Sequence, residues 1–307
     1  MKPLKQQHSL RALLSCALLT LGLSLSAASH GHQNHDSTNS QYQQQAITDK
    51  LTMLSKKGGN ILLSQGKDGL LIIDNGYADL AADLQSALGE LGHGQTLKYI
   101  INTHWHFDHT GGNDTLGKNT TIIAHDNVRK RLAQKSAIPL FNYQADAHPQ
   151  HALPSLTYPQ SMRVHFNGDE LQLEHFANSH TDGDTVIFFS KANVVHMGDL
   201  MFYPSFPFID IHNGGNAVNY AKNIEIIYQR IDDKTIVIPG HGPVTNKAGM
   251  AKFKTMLNSS IAEVKAMKAK GMNLAAMQKQ GLDKQWQDWG KGFIDEATWI
   301  NFIEASL

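Results

Sequence analysis

The stretch "INTHWHFDHTGGN", residues 101–113, sets His104, His106, Asp108 and His109 within a few positions of one another. Chance, a structural polar cluster or half of a metal site would each produce such crowding. His104 and His106 are one residue apart, so an extended backbone at a strand end points both the same way. Asp108 and His109 come after them, past a turn. A loop curling over a strand end therefore offers two side chains to one ion and two to a neighbour. Imidazole with carboxylate suits zinc, and also iron or manganese.

A catalytic metal site needs about three protein ligands and an open position, and a closed one about four. The remaining ligands are expected at other strand ends, where loops converge. His180 follows "LQLEHFANS", Asp199 follows "NVVHMG" and His241 follows "KTIVIPG". Each comes after an apolar, strand-like run, as His104 comes after "KYIIN". Counting then allocates His104, His106 and His180 to one ion and Asp108, His109 and His241 to the other. Asp199 has two carboxylate oxygens and bridges both. A water or hydroxide completes the bridge between two metals about 3.5–4 Å apart.

The surrounding pattern alternates strands and helices. "NILLSQGKDGLLIIDNG" reads as two strands joined by a turn, and "LKYIINTH" and "TTIIAH" as buried strands. "MRVHF", "ELQLEHF", "DTVIFFS" and "NVVHMGD" follow as closely spaced strands, and "KTIVIPG" as a last one. Helical spacing marks "ADLAADLQSALGELG", "NVRKRLAQK", "AVNYAKNIEIIYQRI" and residues 247–270. The tail carries Trp286, Trp289, Phe293 and Trp299 on shorter helices. Interleaved elements of this kind predict an α/β protein with helices outside sheets. With no internal repeat and no interior linker, residues 46–307 read as one compact domain.

The first 28 residues read differently. Lys2, Lys5 and Arg11 precede or open an apolar run, Ala12 to Leu25, which leads to Ser26, Ala27 and Ala28. Basic head, short apolar middle and small-residue exit mark a cleavable secretory signal peptide. The run is shorter than the roughly 20 residues of a spanning helix, so no membrane anchor is expected and the chain is read as periplasmic. Residues 29–45, "SHGHQNHDSTNSQYQQQ", read as a flexible polar leader whose His30, His32 and His35 are available to metal. Cleavage removes three of the 27 basic residues and none of the 27 acidic ones, leaving the chain about three charges negative. That argues against nucleic acid as a partner, and the Arg129-Lys130-Arg131 run reads as a solvated helix face. The only cysteine, Cys16, leaves with the signal. The mature chain then has no disulfide and no thiolate for a metal.

"THWHFDH" resembles the H-x-H-x-D-H signature of the metallo-β-lactamase superfamily. "SHTDGD", "HMGD" and "PGHGP" resemble its second histidine, bridging-aspartate and last histidine motifs, in the expected order. The resemblance covers residues 50 to about 255. It implies a four-layer αβ/βα sandwich, with two mixed sheets flanked by helices and the metals at one edge. One lactamase subclass uses a cysteine ligand and is excluded by composition. Another lacks the bridging aspartate. Asp199 instead resembles the pattern of glyoxalase II-type thioesterases, lactonases and phosphodiesterases. A diiron flavoprotein would need a carboxylate at position 106.

The expectation is an exported hydrolase with two Zn2+, or Fe or Mn, acting on a small molecule, a β-lactam-like or lactone substrate. A thioesterase or phosphodiesterase is the alternative, and an exported metal-binding protein without catalysis the second. Asp108 is expected to orient the nucleophile. Tyr203, His212 and Asn216, in the aromatic loop after Asp199, are candidate substrate contacts. Asp184 is expected either to orient His180 or to cap a turn, and His196 to be a core histidine.

Overall fold

A computed structural model describes residues 42–307 of the chain. The segment read as a signal peptide, and residues 29–41 of the stretch read as a leader, lie outside the described residues.

The strands β1 (Gln43–Ala46), β2 (Leu51–Ser55), β3 (Ile61–Gly66), β4 (Gly69–Ile73), β5 (Leu97–Ile101) and β6 (Thr121–His125) build one sheet. β7 (Ser136–Ile138) and β8 (Tyr143–Ala145) form a separate hairpin, and β9 (Leu156–Tyr158) closes the first sheet beside β6. β1 pairs with β2 although Gln43, Gln44 and Gln45 belong to the polar leader in the sequence reading. Its side chains are exposed, so only backbone pairing holds it. That leaves no hydrophobic pattern to read. The second sheet runs in order through β10 (Ser161–Phe166), β11 (Asp169–His175), β12 (Thr185–Phe189), β13 (Val194–His196), β14 (Ile236–Ile238) and β15 (Thr245–Asn246).

The sheets pack face to face because their strands alternate. Leu62, Leu71, Ile73, Ile101 and Ile123 of the first sheet meet Leu171, Leu173, Ile187, Phe189 and Ile238 of the second. The opposite face of the first sheet, with Leu63, Ile72, Ile100 and Ile122, buries Leu84 and Leu88 of α1 (Ala81–Leu91). Short helices α2 (Phe107–Thr110), α3 (Asn113–Leu116) and α4 (Asp126–Leu132) follow. The outer face of the second sheet, with Val186, Val195 and Val237, packs on α5 (Ala217–Arg230) and α6 (Lys247–Ala269). α7 (Leu274–Gln280) and α8 (Glu296–Ala305) complete that layer. Each fully buried aliphatic side chain contributes roughly 1.5–3 kcal/mol. Trp299 is wholly buried, and its indole N–H donates to Ser260 Oγ at 3.0 Å. The result is the helix–sheet–sheet–helix sandwich expected from the sequence. No helix among the described residues is long and apolar enough to cross a membrane.

The basic run on α4 differs from its reading as a solvated face. Arg131 donates to Asp182 Oδ2 at 2.7 Å and to Asn213 Oδ1 at 2.8 Å, and Arg129 donates to the Pro154 carbonyl. Guanidinium groups with several fixed donors bind neighbouring loops to the helix. Only Lys130 of the three is exposed.

Pairing directions place the site. β4, β5 and β6 are mutually parallel, so Asp74 and His104 emerge at the same edge of the first sheet. β13 and β14 are parallel too, and send out Asp199 and His241 together. The two edges face each other across the core.

Candidate metal centre

The loop after β5 is tied down from its own backbone. Asp74, the first residue past β4, accepts from Thr103 N and Thr103 Oγ1, both at 2.8 Å. It also accepts from His109 Nδ1 at 2.8 Å. Asn75, Asn102 and Asn113 interlock through side-chain amides behind it, with Asn75 Nδ2 donating to Asn113 Oδ1 at 2.6 Å and Asn113 Nδ2 to Asn102 Oδ1 at 2.9 Å. Thr110 Oγ1 donates to the carbonyls of Trp105 and His106. The loop is therefore a fixed turn rather than a free one. Opposite it, the "PGHGP" turn approaches so closely that a Cβ at Gly240 would stand 2.1 Å from Asp199 Oδ1. A Cβ at Gly242, whose φ is +103°, would stand 1.7 Å from the Tyr203 carbonyl oxygen. Glycine is required at both places.

These constraints bring together all seven residues expected to be ligands. The ligand atoms of His104, His106, His180 and Asp199 lie within 4.8 Å of one another, and so do those of Asp108, His109 and His241. Asp199 reaches both groups. Its Oδ2 is 3.4 Å from His180 Nε2 and 3.7 Å from His104 Nε2, and its Oδ1 is 3.1 Å from His109 Nε2. His241 Nε2 stands 3.3 Å from Asp108 Oδ2 and 3.4 Å from Asp199 Oδ2.

The outer hydrogen bonds fix which nitrogen each imidazole presents. A carboxylate or carbonyl only accepts, so His106 Nε2 donates to Asp210 Oδ2 at 3.0 Å and His180 Nδ1 donates to the Phe208 carbonyl at 2.7 Å. His109 Nδ1 donates to Asp74 in the same way. Thr103 Oγ1, whose proton goes to Asp74, accepts from His104 Nδ1 at 3.1 Å. Four lone pairs, on His104 Nε2, His106 Nδ1, His109 Nε2 and His180 Nε2, thus point inward. His106 Nδ1 and His180 Nε2 face each other at 2.8 Å, and His109 Nε2 and His241 Nε2 at 3.3 Å. The His106 and His180 lone pairs repel at 2.8 Å unless a cation or a proton lies between them. His104 Nε2 and Asp199 Oδ1 are buried without a hydrogen-bond partner, an expensive state for polar atoms that a metal relieves. The donor set fits two divalent cations, held by nitrogen and carboxylate oxygen.

Electrostatics fit the same centre. Burial drives His104 well down and His180 to about 4, so both stay neutral as ligands must. Burial opposes charge on His109 and His241 as well, but Asp199 and Asp108 outweigh it. His109 is raised well above its ordinary value and His241 to about 9. Burial would likewise raise Asp108, yet His109 and His241 hold it at about 2, and Asp199 is held well below its ordinary range. Without metal, protons on His109 and His241 balance the carboxylates.

Sequence reasoning missed Asp74 and Asp210. Asp74 carried the same signal as His104, an acid just past the apolar run "LLII". Asp210 sits two positions from the named His212, but nothing local marks it. Burial opposes its ionisation, and hydrogen bonds from His106 and Asn213 outweigh that and lower its carboxyl. The chain Arg131–Asn213–Asp210–His106 thus runs from α4 to the centre. Partners of this type typically change metal affinity 10- to 100-fold. Asp210→Ala is expected to weaken zinc binding by about that factor, read by competition with a chelating dye. Unchanged affinity would remove Asp210 from the centre.

Of the other named residues, Asp184 accepts from Thr181 N at 2.8 Å and Thr181 Oγ1 at 2.6 Å, so it caps the turn after His180. Burial raises its carboxyl to about 7. His196 is fully buried in β13, and its Nδ1 accepts from Gly198 N. Asn216 caps α5, accepting from Asn219 N at 2.8 Å. Tyr203 packs edge-on against Trp289, and His212 borders a cavity beside the centre. The centre itself opens into a cavity of about 300 Å³ bordered by Asp108, Tyr77, Phe107 and Phe293.

The sandwich thus carries, where its two sheets' edges meet, a cluster of imidazoles and carboxylates able to hold metal. A sequence profile of the metallo-beta-lactamase superfamily matches residues 55–241. The chain belongs to that superfamily. A beta-lactamase-like protein 2 homolog of Caenorhabditis elegans is 24% identical over 153 residues, 49% of this chain and 44% of that protein. The chain thus matches less than half the length of that relative. An uncharacterized protein of Mycobacterium leprae is 29% identical over 170 residues, 52% of this chain and 75% of that one. Among solved structures, a metallo-beta-lactamase from Pontibacter korlensis is similar at TM-score 0.58 and 17% identity, covering 71% of this chain and 99% of that one. An inverting sec-alkylsulfatase from Pseudomonas sp. is similar at TM-score 0.67 and 15% identity, covering 85% and 49%. At such identities the likeness shows the fold alone.

Proposed function

We propose that the protein is an exported hydrolase that holds two divalent cations, zinc before iron or manganese, and opens a cyclic amide or ester, β-lactam-like or lactone. The observation that carries this reading is the inward-facing His106–His180 couple, fixed from behind by Asp210 and the Phe208 carbonyl, with Asp199 reaching both His180 and the His109 that Asp74 holds. Cations bound there supply Lewis acidity, polarising a carbonyl oxygen and making water acidic enough to attack at neutral pH.

The chain's own residues do the rest. Asp108 borders the cavity with its carboxylate ionised, and orients an attacking water by accepting one of its hydrogens. Tyr77 borders the same cavity. Burial and the nearby Asp108 push its phenol up to about 12, so it remains a hydrogen-bond donor for the oxygen on which charge develops. The aromatic walls exclude bulk water and strengthen both interactions. The basic and apolar N-terminus supports export, and an extracytoplasmic substrate favours lactam or lactone over a glutathione thioester.

The test is a substrate panel of lactam, lactone, thioester and phosphodiester, assayed with zinc- and manganese-loaded wild type and with Asp108→Ala. The wild type is expected to hydrolyse a lactam or lactone fastest. The variant is expected to lose about a hundredfold or more in kcat. A loaded wild type that hydrolyses none of the panel would leave a metal-binding protein without catalysis as the better account.

A further inference from the structure

The cavity over the metal centre has an apolar wall. Phe107, Ile138, Phe141, Phe202, Phe208 and Phe293 line it. Among the described residues lining it there is no lysine or arginine. Lys57 lies over the Tyr77 ring at 5.1 Å but does not line the cavity. A second cavity, about 490 Å³, adjoins the first and shares Ile138 and Phe208 with it. Leu140, Ile209, Phe302 and Ala305 continue the apolar surface there, with Asp210, His212 and Asn301 as polar neighbours. The one fixed charge among the described residues of that lining is thus an acid, which an anionic substrate would meet unfavourably.

The rim is apolar as well. Leu140 is 48% exposed, Phe141 39% and Phe293 53%, three of the six large apolar side chains left exposed among the described residues. Phe141 lies 4.9 Å from Phe208 and 6.2 Å from Phe293, ring to ring. Single exposed apolar residues are ordinary, whereas a cluster bordering a pocket marks a binding surface.

We propose that the substrate is a neutral acyl compound with an apolar chain. The reactive carbonyl lies at the metal centre, and the chain passes Ile138 and Phe208 toward the cavity under Leu140. This rests on the hydrolase reading above and narrows its substrate from lactam or lactone to an uncharged ester, cyclic or open-chain. A lactam carboxylate or a sulfate ester brings a permanent anion that no cationic side chain in this wall receives. A chain of methylenes, by contrast, finds apolar surface from the centre outward. In the reaction, the oxygen of water bonds to the acyl carbon and the acyl C–O or C–S bond breaks. Its electron pair leaves on the heteroatom, which takes up a proton. Nothing is oxidised or reduced.

The test uses the zinc-loaded mature chain with p-nitrophenyl esters from acetate to dodecanoate, γ-lactones of matching chain length, and benzylpenicillin. kcat/KM is expected to rise about two- to fourfold per added methylene until the second cavity is filled, and to exceed that for benzylpenicillin. Comparison of the ester and lactone series tells open-chain from cyclic substrates. In parallel, 2-alkanones, which cannot be hydrolysed, are expected to bind more tightly as they lengthen, measured by calorimetry. Ala305→Trp, which fills the second cavity, and Leu140→Glu, at a half-exposed position, should each reduce the long-to-short ratio at least tenfold. Ile226→Ser, another exposed apolar site on α5, should leave the ratio unchanged. Turnover of the acetate ester with no chain-length dependence, in esters or in ketone binding, overturns the substrate proposal and leaves the hydrolase standing. No turnover of any substrate overturns the hydrolase reading, and the substrate proposal with it.

Discussion

Asp199→Asn is expected to lower hydrolysis about a thousandfold or more and to reduce bound zinc from two ions to one or fewer per chain. The substitution keeps the size of the side chain and removes its charge. That charge faces His104, His109, His180 and His241 at 3.1 to 3.7 Å, so no other residue can neutralise both halves of the centre. Several kcal/mol of charge stabilisation are at stake in a site of this kind, and each 1.36 kcal/mol is tenfold in rate. The metal-free variant should fold, because Asn keeps the packing against Gly240. Its histidines report on the loss. Asp199 is the leading carboxylate that raises His109 and His241, so both should titrate at lower pH in the metal-free variant, followed by NMR. Two zinc ions and near-normal turnover in Asp199→Asn would show that the carboxylate does not join the two halves.

The seven clustered side chains were readable in the sequence because their signal is local. Each stands at or beyond the end of an apolar run, and parallel pairing of β4 with β5 and of β13 with β14 turns shared positions after strands into shared positions in space. Asp74 obeyed the same rule and was readable too. The walls of the cavity were readable only in part, through the aromatic loop after Asp199, whose Phe202 and Phe208 line it. Tyr77 follows β4, Phe141 tips the β7–β8 hairpin, Phe208 sits in the loop after Asp199, and Phe293 precedes α8. Only tertiary packing joins them, and an aromatic residue in a loop has no sequence signature that separates a pocket wall from a connector. The short strands fail for a related reason. "SAI" and "YQA" are too brief to display a period, and β1 buries nothing. The loop after Asp199 divides along the same line. Its chemistry was visible, but Asn216 caps a helix, while Asp210 braces His106 through a contact more than a hundred residues away in sequence.

Adding zinc to chelator-treated protein is expected to raise its melting temperature by about 10 °C, and by more at pH 9 than at pH 6. At a thousandfold excess over Kd, a ligand that binds only the folded chain stabilises it by about 4 kcal/mol, and a chain of this size gains roughly 2–4 °C per kcal/mol. The pH dependence follows from the groups that balance the centre without metal. His241 is raised to about 9 in the folded chain from about 6.5 when unfolded. Its contribution to the metal-free protein is therefore complete below about pH 6.5 and is lost as pH rises through 9. Asp108 is lowered to about 2, so its contribution is present above about pH 4 and lost as pH falls through 2. The metal-free protein should then lose stability as pH rises above about 6.5, through His241, and also as pH falls below it, where the unfolded chain takes up protons that buried His180, lowered to about 4, does not. Zinc reverses the alkaline side of that curve, because it replaces the protons on His109 and His241 and binds more tightly as they leave. The gap between loaded and stripped protein should widen steadily from pH 6 to 9 in scanning calorimetry. A gap that stays constant or narrows over that range would mean that the cations do not occupy the places the two histidine protons hold.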